Sequence, residues 1–167
     1  MCKEKKTFTL YLTSGQKVSG NNYNATYNVN WYSFLPTKYK RFHLQAYFKT
    51  NPFSDTTNLT PTVPNAVVIS NIPSPYTYST LTNSRSSCIA IAHTHFFNMD
   101  YLDLNPNYYY LENSESAGLL TVAYPQNNNL TIQLTNFAGT ELSTLIDSVN
   151  YSLILTFTPI DEKECGC

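Results

Sequence analysis

The sequence predicts an all-β fold, an antiparallel β-sandwich of about eight strands. Three observations carry this. Polar and apolar residues alternate with period two at both ends of the chain, over 7–13 and 150–161. The composition favours strands and turns, with 14 Tyr, 9 Phe, many Thr and Asn, and only 5 Gly. No segment has the Ala/Glu/Lys/Leu vocabulary or the 3.6-residue period of an amphipathic helix.

The first strand is TFTLYLT, 7–13, with Phe8, Leu10 and Leu12 on one face and Thr9, Tyr11 and Thr13 on the other. SGQKVSGNN closes it with turn residues. ATYNVNWY places Ala25, Tyr27, Val29 and Trp31 on a common face, and Pro36 breaks the run. YKRFHLQAYFKT alternates again, Phe42, Leu44, Ala46 and Phe48 inward, Arg41, His43, Gln45 and Tyr47 outward. The Pro-rich stretch 51–65 and the Tyr/Ser-rich stretch 73–86 read as long connections around the short buried strand AVVIS.

A strand over 88–97 follows, then a loop and a short strand at Tyr108–Leu111. GLLTVAY and NLTIQLTN flank PQNNN as the arms of a hairpin. FAGTELSTLID is a connection with room for one helical turn. NYSLILTFTPID ends the domain with Tyr151, Leu153, Leu155 and Phe157 on one face. The expected organisation is a flexible segment over 1–6, a single domain over 7–160 and a flexible Cys-containing tail over 161–167.

At 167 residues with 42% hydrophobic and 14% aromatic content, the chain can bury a substantial core. Charged residues make up only 13%, about half the usual share, and the net charge is −1. A neutral polar surface of this kind favours self-association or membership of an assembly. No basic stripe is present to release counterions from duplex nucleic acid, so direct nucleic-acid binding is not expected. KEKK and KYKR read as solvated flanks. No apolar run resembles a signal peptide or a membrane span, and the four sequons at Asn24, Asn58, Asn129 and Asn150 are expected to be unmodified.

Cys88 reads as a small core hydrophobe. Cys2, Cys165 and Cys167 lie in the terminal segments, and the closing CGC is expected to be a tail in a reducing compartment. A zinc site built on it would need further ligands at suitable spacing.

CIAIAHTHFFNMDYLD, 88–103, is the one stretch that suggests chemistry. On a strand His93 and His95 point the same way, which suits two ligands on one ion, as in the H-x-H of cupin barrels. A third ligand would have to be His43, from another strand, or Asp100 or Asp103. The alternative is a pair of imidazoles on a partly buried strand face, hydrogen-bonded to neighbours or lining a subunit contact, and this is the expected arrangement. No cofactor is expected. With no G-x-S-x-G elbow, phosphate loop or dinucleotide motif present, the chain is not expected to be an enzyme.

Three stretches, KTFTLYLTSG, YNVNWYSFLPTKYKRFHLQAYFKT and NYSLILTFTPID, together resemble the small single-domain β-sandwich capsid components of large double-stranded DNA viruses and their virophage relatives. The similarity lies in a Thr/Leu opening strand, an Asn- and Trp-bearing strand leading into "LP" and a Lys/Tyr-rich strand, and a closing Y-x-L-x-L-x-F-x-P-I. It implies a jelly-roll-like minor capsid protein, made in the host cytoplasm and resident in the virion. Its partners would be other capsid proteins, in a homo- or hetero-oligomeric assembly. Aromatic residues in or beside the long connections, Phe53, Tyr76, Tyr78, Tyr108 and Tyr109, are the candidate partner-binding anchors. The rival expectation is a stand-alone lectin-like module using the aromatic loops at Tyr76, Tyr78 and Tyr108–Tyr110 on sugars.

Overall fold

The computed structural model describes residues 6–54, 65–74, 87–97, 108–113, 120–142 and 149–160. These form eleven strands: β1 (Phe8–Thr13), β2 (Ser19–Asn21), β3 (Asn24–Asn28), β4 (Arg41–Thr50), β5 (Phe53–Ser54), β6 (Ala66–Ser70), β7 (Ser87–Phe97), β8 (Tyr108–Asn113), β9 (Leu120–Ala123), β10 (Asn129–Thr135) and β11 (Tyr151–Pro159). Every pairing is antiparallel. The hydrogen-bonded path runs β1-β11-β4-β8-β7-β6-β10-β3-β2, with β5 attached to β8 and β9 to β4. The fold is all-β, antiparallel and sandwich-like.

The strands exceed the expected number of about eight chiefly because β2 and β5 form short pieces in segments that read as turn and long connection. β2 is one arm of a hairpin with β3. Gly20 makes that hairpin possible: its φ is +84°, and a Cβ there would lie 2.0 Å from the Asn24 carbonyl oxygen.

The two ends of the path fold over a shared core. Tyr151, Leu153, Leu155 and Phe157 of β11 all face inward at 0–3% exposure, as the alternation predicts. They share one buried cluster with Phe42, Leu44 and Phe48 of β4 and with Tyr27, Leu130 and Ile132 from β3 and β10. The Tyr27 and Tyr151 hydroxyls meet at 2.8 Å inside it.

Two local expectations are corrected. The strand expected through Trp31 stops at Asn28, and a one-turn helix, α1 (Trp31–Phe34), follows. Asn30 causes the change: its side-chain oxygen accepts the Ser33 N–H at 3.2 Å, the capping bond that starts a helix. Trp31 is still buried, its ring edge-on to Phe157 at 5.8 Å and its indole N–H donating to the Asn127 carbonyl at 2.8 Å.

The second correction concerns β7, where alternation was expected to align Ile89, Ile91, His93 and His95. Val68 pairs with Ala90 but Ile69 with Cys88, so Ile89 is the extra residue of a bulge. Ala90 and Ala92 face the core, whereas Ile91, His93 and His95 are exposed.

A buried amide joins β4 to β8. The two strands pair in register only at Lys49 and Glu112. Beside that pair, the Asn113 side chain accepts the Phe48 N–H and donates to the Ala46 carbonyl at 2.7 Å. Asn113 is 2% exposed and stands in for backbone that β8 does not supply.

Candidate interaction face

The register of β4, β8 and β7 sets Lys49, Glu112 and His93 in one row, and His95 beside Tyr110 in the next. Alternation turns all five side chains to the outer face. The His95 ring stacks on Tyr110, centroids 4.9 Å apart and planes 14° from parallel. The Lys49 ammonium sits over the same Tyr110 ring at 5.1 Å and pairs with Glu112 at 3.5 Å. Tyr47 donates its hydroxyl proton to the same Glu112 carboxylate. That bond, aided by the Lys49 charge, holds the Glu112 carboxyl below its ordinary range despite some desolvation.

This arrangement orders one side-chain network on an open sheet surface. His43 does not join it. Its position on β4 is opposite Thr121 and Thr158, six residues from Lys49, or about 20 Å at the usual strand rise. Among the described residues no three His, Cys, Asp or Glu side chains come together as a metal-binding group. Asp100 and Asp103 lie outside the described residues, as do Cys2, Cys165 and Cys167. Cys88 is half-buried, and burial pushes its thiol pKa up.

The aromatic anchors separate by position. Tyr109 was expected at a partner surface but is fully buried. On β8 it alternates inward with Leu111 and Asn113, while Tyr110 and Glu112 alternate outward, so it is a core residue. Phe53 pairs with Tyr109 across β5 and β8, is half-buried, and packs against its ring at 6.3 Å. Tyr108 is the first residue of β8 and pairs with Ser54 of β5. Tyr76 and Tyr78 lie outside the described residues.

Two surface features were missed in the sequence. The first is an aromatic hollow of about 390 Å³ lined by Tyr32, Tyr39, Tyr124, Lys40 and Gln126. Tyr32 is 64% exposed and lies 6.0 Å from the Tyr124 ring, whose hydroxyl is 3.0 Å from the Trp31 carbonyl and 3.2 Å from that of Leu35. Its signal was the tyrosine spacing around the Pro36 break, which only the turn of α1 brings together.

The second is a row on the outer face of β1, β11 and β4, where Tyr11, Ile154 and Tyr47 stand side by side. A groove of about 530 Å³ lined by Gln45, Tyr47, Ile154 and Thr156 runs beside it. Around this row the face is Thr9, Thr13, Ser152, Thr156 and Gln45, and Arg41 and Lys49 are the only charged side chains of these three strands. The signal was present in the alternation, but only register shows which residues align.

No known family, curated protein or solved structure matches this chain. Among the described residues no helix is long and apolar enough to cross a membrane.

Proposed function

We propose that this chain is a structural virion protein, a minor capsid component that bridges or cements its neighbours. The observation that carries the reading is the broad, nearly uncharged outer face of β1, β11 and β4, with Tyr11, Ile154 and Tyr47 in a row across it. Interface cores are depleted in charge and enriched in aromatic side chains. Threonine and tyrosine surfaces lose little side-chain entropy on docking. The sandwich-like fold and the sequence resemblance at both ends of the chain support the same reading.

Cross-linking of purified source particles tests it, using the amines of Lys17, Lys40 and Lys49. Cross-links from these lysines to other shell proteins are expected. Particles that contain the chain but yield none, under conditions that cross-link other shell proteins, would contradict a bridging role.

The Tyr32–Tyr39–Tyr124 hollow favours a second reading, a stand-alone lectin-like module. Tyrosine faces stack on sugar rings, and Lys40 and Gln126 could bond their hydroxyls. Specific retention on a glycan array, lost in Tyr32→Ala, would support that reading.

A further inference from the structure

We propose that the free edge of β1 is a dimer contact, at which two copies of this chain pair antiparallel about a two-fold axis at Tyr11. β1 ends the hydrogen-bonded path, and no described strand pairs with its other edge. Among the described residues, its inward side chains are incompletely covered. Phe8 and Leu10 point toward the core yet stay half-buried, whereas their opposites on β11, Phe157 and Leu155, are at 0%. The gap continues as a groove of about 370 Å³ between β1 and the facing layer, floored by Leu10, Leu12, Val18, Val29 and Phe34. Val18 is 62% exposed and Tyr11 57%.

Edge strands usually carry a guard against pairing, such as a lysine, a proline, a bulge or an inward charge. FTLYLT has none, and its pairing with β11 is regular over all six residues.

The occupant that fits is a second β1. Antiparallel partners directly opposite each other point to the same face. With Tyr11 opposite the partner's Tyr11, Leu10 falls opposite the partner's Leu12, and Thr9 opposite the partner's Thr13. Apolar side chains then meet on the inner face and Thr and Tyr on the outer one, with no charge opposed. Each chain supplies the same patch, as a two-fold contact requires. The row Tyr47–Ile154–Tyr11 runs on into its symmetry mate, so one outer face spans both copies. The contact is small, in the weak class below about 1,200 Å². It does not depend on a virion and should form in dilute buffer.

Sedimentation velocity of the full chain, from low micromolar to near-millimolar concentration, tests this. The wild type is expected to shift from monomer to dimer, and Tyr11→Lys, whose side chain points outward, to stay monomeric with unchanged circular dichroism. Tyr11→Phe should dimerise like the wild type. A wild type that stays monomeric throughout, or a Tyr11→Lys that dimerises normally, overturns the proposal. Should Tyr11→Lys misfold, wild-type hydrogen exchange decides. β1 amides must exchange more slowly as concentration rises, and concentration-independent rates overturn the proposal.

Discussion

Tyr27 and Tyr151 share a hydrogen bond of 2.8 Å between strands that stand near opposite ends of the sheet path. Both rings are buried, at 2% and 3% exposure. The bond therefore satisfies two hydroxyls that water does not reach, across the interior of the sandwich. Removing one hydroxyl leaves the other buried without that partner, which costs about 1–3 kcal/mol. Tyr27→Phe and Tyr151→Phe are each expected to destabilise the fold by that amount in urea unfolding. The double variant should recover part of the sum. Strict additivity would show that the two hydroxyls are not coupled.

The same pair predicts an alkaline limit to stability. Burial, the leading cause for both phenols, raises their pKa above the ordinary value of 10.0. An acid whose folded pKa is raised binds its proton more tightly in the native state. Its contribution is complete below the unfolded pKa near 10 and is lost as pH climbs toward the folded value. Midpoints of urea unfolding should therefore fall above about pH 10, and fall less in the double Phe variant. Equal slopes for the two proteins would contradict the assignment.

Asn113 offers a sharper test of how β4 is held. Its side chain satisfies the Phe48 N–H and the Ala46 carbonyl together. Asn113→Leu, similar in size, strands both groups and is expected to cost about 1–3 kcal/mol for each. A loss below about 1 kcal/mol would mean that backbone or water takes over the role.

His93 and His95 are exposed on the outer face of β7, and the ring stack with Tyr110 is a surface contact. Replacing both by Gln should change stability by no more than about 1 kcal/mol. Elemental analysis of the purified wild type should find no stoichiometric zinc, iron or manganese. A full equivalent of metal, lost in the double variant, would make these histidines a metal site.

The strands that alternate strictly were legible in the sequence. For β4 and β11 the pattern of Phe42, Leu44, Phe48 and of Leu153, Leu155, Phe157 fixes the buried face, because period two leaves no other way to bury those side chains. Burial of Trp31 was legible too, while the helical turn at Asn30 was not: a capping asparagine in an alternating run has the same pattern as a strand residue. The bulge at Ile89 was hidden for a related reason. Alternation assumes unbroken register, and register belongs to the partner strand. Tyr109 was misplaced because a run of three tyrosines has no apolar–polar contrast to orient it. The Lys49–Glu112–Tyr110–His95 network joins the neighbouring strands β7 and β8 to the remote β4, so no local spacing could announce it.

The most direct test of the proposed role is the copy number of this chain in purified source particles, by quantitative mass spectrometry against the major shell protein. A structural shell component should appear at a fixed, repeatable stoichiometry that survives washing in high salt. Absence of the chain, or trace amounts that wash away, would contradict the virion assignment.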